Sequence, residues 1–160
     1  MKQLGIIGTL AVLLISFSCE STKTSALEDL INEYQNHKGY DRSEYPLGLF
    51  TRDYYKADAA FASGILDRLK AIDSYSLSET DQISLALLKF QCQDIIDYYD
   101  FERFLNPLLS DSGFHLSLPY NVRPITNVNQ AKSYLNRLNA IPQYVDQHFK
   151  NLREGLEKGV

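Results

Sequence analysis

Between Arg52 and Phe104 the apolar residues recur every three or four positions, a spacing that belongs to helices. Ala59, Ala62, Ile65, Leu66, Leu69 and Ile72 fall on one face of a helix beginning near Arg52. The small residues Ala57, Ala60, Ser63 and Gly64 around that face let a neighbouring helix approach closely. Asp73-Ser74-Tyr75-Ser76 interrupts the run. A second helix starts at Ser78, whose hydroxyl stands three positions before Asp81 in a capping-box-like arrangement. The acid also sits at the positive end of the helix dipole. Ile83, Leu87, Leu88, Cys92, Ile95, Ile96 and Tyr99 then mark a face running up to Phe104. Pro107 stops it, because proline disfavours helix at the residue before it.

The same spacing returns at both ends of the chain. Leu27, Leu30, Ile31 and Tyr34 predict a helix from Ser25 to near Gly39. Val128, Ala131, Leu135 and Leu138 predict another. Pro142 suits the first turn of a last helix, where its missing N–H is not needed. Val145, Phe149, Leu152 and Leu156 continue that helix as its expected apolar face, and Gly159 suits its stop. Gly155 reads only as a mild helix weakener. Leu108 to Thr126 is aperiodic and holds Gly113, Pro119 and Pro124. The alternation Phe114, Leu116, Leu118, Tyr120 would mark a strand with no sheet to join, so an irregular stretch laid across helices is expected. The expected fold is all-α, with about five helices and an irregular segment near 106–126.

The N-terminus carries a different signal. Lys2 precedes an uncharged apolar run from Leu4 to Phe17, which is shorter than the ~20 residues that cross a bilayer. Small residues, Ser16 and Ser18, stand three and one before Cys19, and polar sequence follows at once. This is similar to a lipobox, with Ser16 where Leu is usual; the alternative is an ordinary secretory signal with a cysteine nearby. The expected organisation is a lipoprotein signal peptide over 1–18, a flexible lipidated tether over 19–25 and a helical segment over 26–160. Cys19 is the expected lipidation site. Acyl chains contribute about 0.8 kcal/mol per buried methylene, so two or more hold a protein at a membrane. The expected location is the cell envelope, exported and anchored, at the outer membrane or facing the periplasm.

The residues after the signal offer no recognisable chemistry. The chain's net charge of −4 becomes one unit more negative when Lys2 is removed, which argues against nucleic acid as a partner. With Cys19 lipidated, Cys92 has no cysteine to pair with, and its apolar neighbours mark it as a buried small hydrophobe. His37, His115 and His148 are too far apart for a zinc-binding helix motif. His37 and His148 read as polar surface residues, whereas His115 lies in the irregular segment, where function is often carried. Asp94 and Asp97 share a helix face and read as solvated. The chain's eleven tyrosines, among them Tyr54, Tyr55, Tyr98 and Tyr99, fit a sugar or peptide groove or, more commonly, the rim of a core. No catalytic residue and no metal ligand is assigned.

Several stretches together resemble the bacterial family called domain of unknown function 885. They are 66–73 (LDRLKAID) with 77–82 (LSETDQ), 113–115 (GFH) with Leu118-Pro119, 131–142 (AKSYLNRLNAIP) and 151–160 (NLREGLEKGV). The resemblance implies a longer, mostly helical protein, often an exported lipoprotein, similar to zinc-dependent peptidases. The family's His-Glu helix lies beyond the residues matched, so no metal ligand is carried over, and zinc is expected only in a full-length homologue. This chain is then expected to be the N-terminal helical part of that metallopeptidase-like fold, truncated before the metal site and inactive alone. A peptide substrate is implied for the full-length form, and His115 is the one position carried over as cleft-facing. The other reading is a complete, non-catalytic helical lipoprotein acting as a binding module.

Overall fold

The computed structural model describes residues 18–108, 112–117 and 124–160. Among them are five long helices: α1 (Ser18–Asn36), α2 (Arg52–Lys70), α3 (Glu79–Asp100), α4 (Val128–Asn139) and α5 (Ile141–Lys158). The described residues contain no strand, only a single antiparallel bridge between Leu108 and Gly113. The fold is all-α, as the spacing requires. Residues 1–17 of the expected signal peptide and the Leu118-Pro119-Tyr120 part of the expected irregular segment lie outside the described residues.

Two boundaries differ from expectation. The stretch 19–25, expected as a flexible tether, is helical and forms the start of α1. No Gly or Pro interrupts the chain between Ser18 and Asn36, so nothing there breaks a helix. At the other end of the central run, α3 stops at Asp100, before Phe104 and Pro107. Glu102 takes a left-handed conformation at φ +49°, which ends the helix, and one 3₁₀ turn follows over Arg103–Leu105.

The residues fall into two compact units. One runs up to His37 and resumes over Ala62–Asp94. It buries Leu27 and Leu30 of α1, Ala62, Ile65, Leu66 and Leu69 of α2, and Leu85, Leu88 and Cys92 of α3. Burying one such leucine or isoleucine contributes about 1.5–3 kcal/mol. The α1 and α2 faces are the predicted ones. On α3 the buried row instead contains Leu85, while Ile83 and Leu87 are 64% and 55% exposed. That helix carries apolar residues most of the way round, so two overlapping rows satisfy the helical period and sequence spacing cannot choose between them. The Ser78 cap forms as predicted: its Oγ accepts the Asp81 N–H at 3.2 Å and donates to the Asp81 carboxylate at 2.8 Å. The Arg68–Glu33 pair, at 2.6 Å, is half exposed at both ends, where such pairs contribute about 1 kcal/mol or less.

The second unit comprises Lys38–Phe61 and Ile95–Val160. Its organising contact lies between α5 and the turn at Leu105. A Cβ on Gly155 would stand 2.5 Å from the Leu105 carbonyl oxygen, so only glycine lets the helix come this close. A charged cluster closes the same end. Arg52 bonds Glu102 at 2.7 Å and also Glu154, and Lys158 bonds both Glu102 oxygens at 2.7 and 2.9 Å. The Arg52 guanidinium also lies 5.0 Å from the Phe104 ring centre. These ties hold Glu102 in its left-handed corner, which for a non-glycine residue is a costly conformation. Gly159, at φ +77°, ends α5 and lets the Val160 N–H reach the Gly155 carbonyl.

Gly155→Ala should destabilise the protein by about 2 kcal/mol, because either α5 or the Leu105 backbone must shift. A methyl group at Gly64, by contrast, would meet nothing within 4 Å. Gly64→Ala should therefore stabilise by about 0.5–1 kcal/mol through helix propensity alone. Urea unfolding of both variants checks the contrast, and equal effects would refute the role assigned to Gly155.

Candidate functional site

α5 turns toward its unit the face that the sequence expectation left to solvent. Tyr144, His148, Asn151 and Gly155 are buried, whereas Phe149 and Leu156 of the expected apolar face are 45% and 77% exposed. The α4 residues Val128, Leu135 and Leu138 of the predicted stripe are exposed as well. The inward face is held by two polar clamps on one residue. The Phe50 N–H donates to Gln147 Oε1 at 2.7 Å, and Asn151 Nδ2 donates to the Phe50 carbonyl at 2.8 Å. Both side chains satisfy backbone groups that have no helix or sheet partner at that point of the chain. A third tie comes from the Tyr144 hydroxyl, which donates to the Phe114 carbonyl at 2.9 Å. Phe114 opens a single helical turn, Phe114–Ser117.

These ties bring rings together around His148. Its centroid lies 4.3 Å from that of Phe50, 4.5 Å from that of Phe114 and 4.6 Å from that of Tyr144. The Phe114 plane is nearly parallel, at 13°, and the Tyr144 ring is edge-on. His148 is only 5% exposed, and neither ring nitrogen has a hydrogen-bond partner among the described residues. A buried polar group left in this way costs about 1–3 kcal/mol. Burial pushes the imidazole down to about 4, so His148 is neutral at neutral pH.

His148 lines a cavity of about 800 Å³, within the range of small-molecule sites. Phe50, Tyr55, Tyr98, Phe101, Phe114 and Tyr144 supply most of its wall, and Arg103 and Asn106 its polar edge. Tyr55 stacks on Phe104 at 4.7 Å and lies 5.3 Å from Tyr98. Burial pushes the Tyr55 and Tyr98 hydroxyls up, which keeps both neutral. The Arg103 guanidinium lies 5.1 Å from the Tyr98 ring centre. Such a surface stacks flat apolar groups well, and its hydrogen-bonding edges are few.

The predicted site residues are dispersed. His115 is exposed and does not line the cavity, and His37 is exposed on another part of the chain. Cys19 lies in α1, with its side chain outside the described residues. Cys92 is buried, and burial pushes its thiol up, as befits a small core residue. Asp94 and Asp97 do not line the cavity, whereas Tyr55 and Tyr98 do. His148, expected at the surface, is the correction: burial within an aromatic cluster overrode its polarity. Its signal in the sequence was the row Tyr144, His148, Asn151, Gly155, spaced as regularly as the apolar row one residue further on. Among the described residues no group of three or more His, Cys, Asp or Glu could hold a metal ion. No described helix is long and apolar enough to cross a membrane.

An all-helical body with an aromatic cavity defines a class but no particular chemistry. A family model described as "bacterial protein of unknown function (DUF885)" matches residues 33–160. The chain belongs to that family. Among curated proteins and among solved structures, none matches this chain.

The depressed imidazole predicts an acid-sensitive fold. The folded-state pKa lies below that of a free imidazole, so the unfolded chain takes up the proton first. This contribution is fully present above about pH 6.5 and is lost as pH falls toward 4, by roughly 3 kcal/mol at the limit. The urea midpoint should fall across this window, and His148→Phe should remove that part of the slope. An unchanged slope in the variant would show that His148 is not the group responsible.

Proposed function

We propose that this protein is an exported, lipid-anchored member of its family, tethered through Cys19, whose helical body binds a peptide through the aromatic cavity. The reading rests on that cavity: six aromatic side chains in its wall, a volume suited to an amino-acid side chain and its neighbours, and a buried imidazole with no hydrogen-bond partner among the described residues. The short apolar run before Cys19 supports export and anchoring. The family resemblance supports a place in a zinc-peptidase-like cleft, with these helices as a wall that recognises substrate while the metal chemistry belongs to a full-length homologue. This chain then holds no zinc of its own and cleaves no peptide. One tightly held zinc per chain on metal analysis would overturn that part.

A second reading draws on a different observation. Val128, Leu135, Leu138, Phe149 and Leu156 leave an apolar surface on α4 and α5, as expected of a non-catalytic interaction module.

Cys19→Ser should abolish incorporation of labelled palmitate and move the protein out of the membrane fraction; label persisting on the variant would refute the anchor. Binding is tested with a fluorescein-labelled apolar peptide and the full chain in detergent. Anisotropy should rise on binding. Leu47→Trp, which fills the cavity from its loop side, should lower the affinity by about tenfold, or ~1.4 kcal/mol. Undiminished binding in this variant would place the peptide elsewhere.

A further inference from the structure

The aromatic wall accounts for stacking, but it leaves His148 unexplained. Every other polar side chain on the inward face of α5 has a partner: Tyr144 bonds the Phe114 carbonyl and Asn151 the Phe50 carbonyl. His148 sits between them, 5% exposed, and neither nitrogen has a hydrogen-bond partner among the described residues. An apolar ring at this position would pack among Phe50, Phe114 and Tyr144 without the desolvation cost. A neutral imidazole differs from such a ring in one respect that a ligand can use, because it offers one acceptor nitrogen and one N–H donor. It also lines the cavity, so a group entering there lies beside the imidazole.

We propose that the cavity is a site for a planar aromatic group carrying one hydrogen-bond donor, an indole or a phenol, whose N–H or O–H is accepted by His148. This inference rests on the reading of the cavity as a peptide site and assigns tryptophan or tyrosine as the side chain received. The rings of Tyr55, Tyr98 and Phe114 in the lining provide aromatic contact that any aromatic ligand would gain. Discrimination comes from the imidazole. A phenyl ring leaves it unpaired in the bound state, whereas an indole or phenol pairs it and removes a cost already present in the free protein. A site that holds a buried polar group in this way rejects the analogue lacking the matching donor. An aliphatic group loses both contributions. A cationic amine is disfavoured because Arg103 is the charged residue among the described lining.

The chain contains no tryptophan, so an indole ligand excited selectively at the red edge of its absorption is seen without a tryptophan background from the protein. N-acetyltryptophanamide, N-acetyltyrosinamide and N-acetylphenylalaninamide are titrated against the full chain in detergent. The tryptophan and tyrosine amides should bind about tenfold more tightly than the phenylalanine amide. His148→Phe should abolish that difference, so that the three amides bind the variant with the same affinity. A second measurement does not depend on the variant folding: the ring ¹⁵N resonances of His148 should shift with the tryptophan amide and stay in place with the phenylalanine amide. Equal binding of all three amides, with unmoved imidazole resonances, would overturn the donor assignment and leave the peptide-site reading intact. Binding of none of them would overturn both.

Discussion

The close approach of α5 to the Leu105 carbonyl is the constraint on which the second unit depends. With no Cβ at Gly155, the helix lies against backbone instead of side chains, and this sets which of its faces points inward. Once that face is set, Asn151 and Gln147 are in reach of Phe50, and Tyr144 is in reach of Phe114. The aromatic cluster around His148 follows from these ties. The Arg52, Glu102, Glu154 and Lys158 cluster reinforces the same end and holds the left-handed Glu102 that turns the chain toward Arg103–Leu105.

The unit has accepted an energetic cost in the process. A buried imidazole with no hydrogen-bond partner among the described residues and exposed apolar residues on α4 and α5 both work against stability. Departures of this kind from a well-satisfied interior concentrate at sites of function. Here the first of them borders the cavity, and the second lies on the outer faces of α4 and α5. Among its described residues the unit containing α1 buries apolar side chains and satisfies its helix cap, although Ile83, Leu87 and Phe90 are exposed there as well.

Much of the architecture was legible in the spacing of apolar residues. The helices about Leu27 and Leu30 and about Ile65 and Leu69 have one apolar face each, and the structure buries those faces. The Ser78 cap, Pro142 in the first turn of α5 and the Gly159 stop are local matters, set by residues within a turn of one another. The family was legible as well, from ordered stretches that the match over 33–160 contains. The inward face of α5 was not. Two rows one residue apart share the helical period, and hydrophobicity favoured Val145, Phe149, Leu152 and Leu156 over the row that is buried.

By itself, then, the sequence determined the helices, their caps and the family, because helical period and capping act between residues a few positions apart. The site was decided by tertiary structure alone. Phe50, Phe114 and His148 are distant in sequence, and each has an ordinary local pattern. They become a site only when a glycine more than a hundred residues after Phe50 allows α5 to seat with its polar row inward. No local preference encodes that choice, because it depends on the space between two segments of backbone.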